Sequence, residues 1–285
     1  MRNAYTHSYR VLRTAQSCAY DPVMRRNLRH ALRAKLVRAV EAAQAPQLRK
    51  LERLEREVTE LRRDTARLLD RVVEFEVRSR RDIVYAGDRE AAAESHRFAR
   101  QHLIGARHFR KPWETLRYAL SLAPEGGLAL EFGVASGNTL RHIAEARGGG
   151  KVYGFDSFEG LPEPWLAGMP AGAFARTDLP DVPGAELVVG LFADTLPAFL
   201  EQHGQPVDFV HVDSDLYSSA KTVLDLVGPR LRAGSVIAFD EFFNYPGWQD
   251  HEYRAWREYA ERTGVQFSYE AYSYEDCQVV VRLTG

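Results

Sequence analysis

Cysteine is nearly absent from this 285-residue chain, which holds only Cys18 and Cys277. The two are far apart and in no metal-type spacing, which argues against a disulfide framework or a zinc site and fits a reducing compartment. No run reaches the ~18 apolar residues that a membrane span requires. The opening residues MRNAYTHSYRVLRTAQ lack the apolar stretch of a secretory signal, so a soluble, cytoplasmic protein is expected. Internal repeats and low-complexity tracts are also missing. Net charge is close to absent at -1, but the balance is uneven. Residues 1–80 carry 19 Lys+Arg against 10 Asp+Glu, leaving 19 against 29 for residues 81–285. That split, in a chain longer than one average domain and too short for two large ones, predicts one globular core with an appendage.

The appendage has a clear pattern. Leu51, Leu54, Val58, Leu61, Thr65, Leu68, Val72 and Phe75 follow alternating steps of three and four, the heptad of a coiled-coil seam. With Leu51 at position a, mostly branched a residues face leucines at d, a choice that favours two parallel strands. The same register pairs Lys50 with Glu55, Glu57 with Arg62 and Arg71 with Glu76 across the seam, while Asp64 meets Leu69. One long amphipathic helix folded onto its own core is the competing reading. An arginine-rich helix is predicted over 22–43, with Pro46 separating it from the heptads. Its positive face either meets an anionic surface or is simply solvated. The expected organisation is a basic helical segment at 1–46, a parallel coiled-coil dimerisation helix at 47–80 and a catalytic domain at 81–285.

From residue 89 the texture changes. Helical patterns at 89–103 and 112–123 precede strand candidates at 128–132, 151–155, 186–190, 207–212, 234–239, 265–271 and 277–283, with helices at 137–147, 194–203, 216–230 and 249–262 between them. This alternation predicts an α/β fold: a doubly wound, mostly parallel, seven-stranded Rossmann-like sheet, its last two strands forming an antiparallel hairpin at the edge. Residues 160–184 read as a loop rich in Pro, Gly and Ala.

In LALEFGVASGNTLRHIA a strand ends at acidic Glu131 and passes through Gly133 and Gly137 into a helix, where glycine lets the chain turn and a ligand approach closely. The spacing is neither G-x-G-x-x-G nor a P-loop, so a cofactor without phosphates is favoured. The next strand ends in GFDSFEG. Asp156 there is placed to accept hydrogen bonds from both ribose hydroxyls of a nucleoside, unless it merely caps a turn.

EFGVASGNT, GFDSFEGLP, VVGLFADTLP, HVDSDLY and AFDEFFNYPGW occur in the order and spacing of the macrocin O-methyltransferase family of sugar-modifying enzymes, which residues 110–283 resemble. The resemblance implies a class I methyltransferase domain with S-adenosylmethionine in the glycine site. The cofactor would meet Glu131, Gly133, Ser136, Gly137, Asp156 and Ser157, with Gly190, Phe192 and Asp194 near its adenine. It further implies Mg²⁺-assisted methylation of a hydroxyl on a sugar, glycoside or secondary metabolite.

Asp213 and Asp215 lie at the tip of the fourth predicted strand, Asp240 and Glu241 at the tip of the fifth. In a 3-2-1-4-5 sheet these tips are neighbours, and four crowded carboxylates call for a divalent cation bound by oxygens: Mg²⁺, with Mn²⁺ or Ca²⁺ as substitutes. Matching family positions suggest Asp213, Asp240 and Glu241 for the metal, and Asp215 is read as the base. The roles of Asp213 and Asp215 are exchangeable, and His211 or His251 is a rival base, although His211 reads better as core and His251 as surface. The family commonly has two aspartates where this chain has Asp240-Glu241. Phe242, Phe243, Tyr245 and Trp248 would form either a sugar-stacking wall or edge packing. The alternatives are a catechol-type phenol O-methyltransferase and a non-catalytic, cofactor-binding coiled-coil scaffold. Expected partners are a small-molecule or glycan acceptor and a second copy of the chain, with no nucleic acid and no membrane span.

Overall fold

The computed structural model describes residues 22–285; residues 1–21, including Cys18 and the start of the basic segment, lie outside the described residues. The chain divides into a unit ending at Arg80 and a unit from Arg81 to the C-terminus. The first is a single helix, α1 (Pro22–Arg81), which runs through Pro46 without a break. The two helical segments expected on either side of that proline are therefore one. A proline lacks only its own N–H and clashes with one carbonyl, so a long helix tolerates it at a local cost. Along α1 the heptad residues Leu51, Leu54, Val58, Leu61, Leu68 and Val72 are all exposed. None of the described helices is long and apolar enough to cross a membrane.

The second unit opens with α2 (Ile83–His102), whose first turn is capped by the Asp82 carboxylate accepting from the N–H groups of Val84 and Tyr85. There follow β1 (Arg107–Phe109), α3 (Pro112–Leu122), β2 (Leu128–Phe132), α4 (Asn138–Ala146), β3 (Val152–Asp156) and β4 (Glu186–Val189). The chain ends with α5 (Phe192–Gln202), β5 (Val207–Val212), α6 (Tyr217–Val227), β6 (Leu231–Phe239), α7 (Glu252–Thr263), β7 (Phe267–Ser273) and β8 (Val279–Leu283). The strands form one sheet of eight in the order β1-β7-β8-β6-β5-β2-β3-β4. The architecture is the expected mostly parallel, Rossmann-like α/β sheet, preceded by a long N-terminal helix.

Two details differ from the expectation. The sheet has eight strands, because the three-residue β1 pairs in parallel with Ala271–Ser273 of β7. The last two strands do pair antiparallel, but β8 inserts between β6 and β7, so β1 forms that edge. Inserting β8 shields the apolar β6, and the edge falls to a short strand of mostly exposed residues.

The central strands β2 and β5 are buried at every position, as parallel strands covered on both faces must be. Leu128, Leu130 and Phe132 of β2 join one core cluster, with Phe155, Phe199 and Trp256. Ala129 faces the other, with Leu140, Ile143 and Val236. Phe242, Phe243, Tyr245 and Trp248 are buried in the first cluster, where Trp248 packs edge-on against Phe98. They are edge packing for the sheet.

Candidate active site

Parallel register brings the strand ends to one level. Phe132 stands opposite both Phe155 and Val212, and Val212 opposite Phe239, so the residues just beyond them emerge along one edge of the sheet. Backbone hydrogen bonds extend that ladder past the strands: Gly133 N–H to Phe155 O (2.9 Å), Asp213 N–H to Phe132 O (2.8 Å) and Asp240 N–H to Val212 O (2.8 Å). Chain order reverses between β2 and β5, and there the sheet opens into a cavity of about 480 Å³. Gly133, Asp156, Gly190 and Phe192 line one side; Asp213, Asp215, Ser218 and Glu241 line the other. Leu161, Trp165 and Phe174 of the 160–184 loop line it as well.

The glycine side is built by close approach. At Gly133, with φ of +95°, a Cβ would lie 1.7 Å from the Asp213 carbonyl oxygen. Glycine is what lets β2 and β5 meet there. Asp156 secures the turn that follows: one carboxylate oxygen accepts from Val134 and Ala135 N–H (both 2.8 Å), the other from Phe158 N–H (2.7 Å). It caps the turn, as one of the two readings had it, and it also lines the cavity. Ser157, Gly190 and Phe192 line the cavity too. Ser136, Gly137 and Asp194 do not; Gly137 packs against Pro180 and Val182, which leave no room for a Cβ.

Glu131 is fully buried beneath this edge rather than in the cavity wall, and its Oε1 lies 3.0 Å from His211 Nδ1. The other ring nitrogen of His211 is 3.5 Å from Asp240 Oδ1. Burial opposes a charge on the imidazole, but hydrogen bonds to Asp240 and Glu131 outweigh it and raise its pKa well above the ordinary value. Burial also raises the Glu131 carboxyl, against the pull of His211. Asp240 goes the other way: burial is outweighed by His211 and Gln278, whose amide donates to it at 3.0 Å, and its pKa falls. His211, between Glu131 and Asp240, thus links the tip of β6 to β2 through β5.

Asp213, Asp215 and Glu241 can each offer one oxygen within 4.8 Å of the others. The carboxylate trio therefore holds Asp215 in place of Asp240, which faces His211 and Gln278 instead. Burial first, then the Asp240 charge, pushes Asp213 and Glu241 well above the usual carboxylate range and Asp215 up to about 7. Asp215 also holds a left-handed backbone at φ 60°, a strained conformation for a side chain other than Gly or Asn. One Glu241 oxygen, Oε2, is buried with no hydrogen-bond partner. Crowded, desolvated, under-satisfied oxygens at this spacing fit a divalent cation. His251 stands outside the cavity lining, its ring 6.3 Å from that of Trp165, and burial lowers its pKa.

Sequence reasoning missed Glu252 and Gln278, the first at the start of α7 and the second just before β8. Neither stands in a motif, and only the folded chain brings them to the acidic tips.

The unit is a Rossmann-like α/β domain with its cavity where the strand order reverses. Residues 130–242 match a protein family described as a methyltransferase domain. Among solved structures, the calicheamicin methyltransferase CalS11 is 25% identical, over 59% of this chain and 76% of that one, at a TM-score of 0.46. The O-methyltransferase NovP is 22% identical, over 60% and 79%, at 0.45. MycE, a methyltransferase of the mycinamycin biosynthetic pathway solved with Mg and SAH, is 14% identical, over 60% and 48%, at 0.40. A comparison with curated proteins finds no match.

Proposed function

We propose that this protein is an S-adenosylmethionine-dependent, Mg²⁺-assisted O-methyltransferase acting on a hydroxyl of a sugar, glycoside or secondary metabolite in the cytoplasm. One observation carries the reading: three carboxylates within a cation's reach, one buried and two half-buried, share a cavity with a glycine turn in a stretch that matches a methyltransferase domain. The cofactor would occupy the side of Gly133, Asp156, Ser157, Gly190 and Phe192. Asp213, Glu241 and Asp215 would hold the cation, with Asp240 behind them. When bound, the cofactor supplies an electrophilic sulfonium methyl and the cation lowers the acidity barrier of a hydroxyl.

The chain's own groups do the rest. The sheet edge fixes acceptor and methyl donor side by side, which is the orientational part of the rate gain. Asp215, at the cavity wall, would take the hydroxyl proton on a carboxylate oxygen not engaged by the cation, as the O–CH₃ bond forms and the S–CH₃ bond breaks. His251, outside the cavity lining, is the weaker candidate for that proton. Trp165, Leu161 and Phe174 give the cavity an apolar wall on the side of the 160–184 loop. In the assay, purified protein with S-adenosylmethionine and Mg²⁺ should release S-adenosylhomocysteine in the presence of glycoside or other hydroxyl acceptors, and excess chelator should stop it. Undiminished turnover in chelator removes the metal from the reading.

The carboxyl pKa values predict a linked pH effect. Asp215 titrates near 7 when folded and near its ordinary 3.8 when unfolded. Between those values the folded state binds more protons, so the stability of metal-free protein falls as pH rises from about 4 to 7. A cation that displaces those protons binds more tightly, and stabilises more, as pH rises. Thermal midpoints across that range, with and without Mg²⁺, check both signs; a metal-free midpoint that climbs with pH contradicts them.

We propose in addition that α1 pairs with a second copy as a parallel coiled coil. The exposed stripe Leu51, Leu54, Val58, Leu61, Leu68 and Val72 supports this, as do the opposite charges its register sets across the seam. Leu54→Glu with Leu61→Glu should turn a dimer into a monomer in analytical ultracentrifugation. A monomeric wild type at tens of micromolar ends this part of the proposal.

A further inference from the structure

Glu252 is the first residue of α7, and its side chain is completely buried. One carboxylate oxygen accepts from Ser214 N–H at 3.3 Å and the other from Glu241 N–H at 3.1 Å. Those two amides belong to the Asp213–Ser214 and Asp240–Glu241 peptides, one at the acidic tip of β5 and one at that of β6. A single side chain from a helix outside the sheet thus ties together both loops that carry the trio.

Several features set it apart from a helix cap or a packing residue. Burial first, and then the charges of Asp215, Asp240 and Asp213, oppose its ionisation, against the pull of the Ser214 N–H. A neutral glutamine in its place would meet one N–H with its oxygen and turn its own N–H₂ toward the other. A carboxylate is the side chain of this length that accepts from both amides at once. Both oxygens are engaged by backbone, and Glu252 is not part of the trio, which separates it from the ligands themselves. Ser214 also directly precedes Asp215, the residue held at φ 60°, so the hydrogen bond to its N–H secures the peptide before the strained turn.

We propose that Glu252 is the positioning residue of the cation site, fixing the separation of the β5 and β6 carboxylates through their backbone amides. This rests on the metal reading above, with Asp213, Asp215 and Glu241 as the groups being positioned. Groups that orient metal ligands from behind typically change metal affinity 10–100-fold when lost.

The test is Glu252→Gln in the full-length chain, with Mn²⁺ and Mg²⁺ titrated calorimetrically into protein saturated with S-adenosylhomocysteine. Glu252→Asp, which keeps both acceptors on a shorter arm, and Glu258→Gln, on the outer side of the same helix, are run alongside. The expected result is cation affinity at least about tenfold weaker in Glu252→Gln, partly restored in Glu252→Asp and unchanged in Glu258→Gln, with S-adenosylhomocysteine affinity within about twofold throughout. A purely structural residue would lower both affinities together with the thermal midpoint, and that pattern overturns the proposal. Unchanged cation affinity in a folded Glu252→Gln overturns it while leaving the metal reading intact. A wild type that binds neither ion removes the metal reading and this role with it. If Glu252→Gln does not fold, Glu252→Asp is read by the same criteria, and failure of both to fold assigns Glu252 to structure alone.

Discussion

Asp213→Asn should abolish cation-dependent methyl transfer, by about 10²–10⁴-fold in kcat, while the folded protein becomes no less stable. The two halves share one cause. Asp213 is desolvated and faces Asp240, Glu131 and Asp215, with His211 as the cation that bears on it. In metal-free protein its charge works against folding, and a neutral amide of the same shape removes that burden. The same substitution takes away a ligand from a trio whose oxygens lie within 4.8 Å. Loss of activity with an equal or higher thermal midpoint is the pattern of a residue kept for function at a cost in stability. The measurements are steady-state turnover with saturating Mg²⁺ and thermal melts without it. Turnover within about threefold of wild type, or a clear drop in the metal-free midpoint, contradicts this account.

Gly133→Ala carries the second large effect, this time on the fold. The new methyl would sit 1.7 Å from the Asp213 carbonyl oxygen, far inside any contact distance, at a φ of +95°. Relief requires β2 and β5 to part at the center of the sheet, where both strands are wholly buried. The loss should reach about 4 kcal/mol or more, the range of severe core or backbone lesions. Gly126 gives the control: its φ is +103° but nothing lies within 4 Å of the added carbon. Gly126→Ala should cost only the conformational strain, about 1–2 kcal/mol. Urea unfolding of both variants separates the two contributions. Similar losses would mean that β2 and β5 can separate there at little cost.

Much of the architecture was legible because buried parallel strands advertise themselves. LALEF and VDFVHV are continuous apolar runs interrupted by single acids or a histidine, and their observed bounds match the reading residue for residue. The strand β1 gave no such signal. Arg107, His108 and Phe109 are polar or half-exposed, and they form a strand only because Ala271–Ser273 offers an edge. At Pro46 a local rule pointed to a break that a 60-residue helix overrides.

The acidic site was readable in part for a related reason. Strand ends followed by acids locate Asp156, Asp213, Asp215, Asp240 and Glu241 near one edge, because parallel register levels those ends. Which of them face one another is set by loop dihedrals and by partners far along the chain. Asp215 turns into the trio on a left-handed backbone, while Asp240 is drawn to His211 and to Gln278, 38 residues on. Glu131 shows the same limit: strand alternation puts its side chain on the face that carries His211, under the cavity and out of its wall.

By itself, then, the sequence determined the sheet, the edge where chemistry gathers and the kind of group that gathers there, since hydrophobic period and chain order act over short distances. Only the tertiary structure decided which carboxylates form the cluster and that Glu252 binds the two loops from behind. Such contacts join residues tens of positions apart, and no local pattern encodes the dihedrals that bring them together.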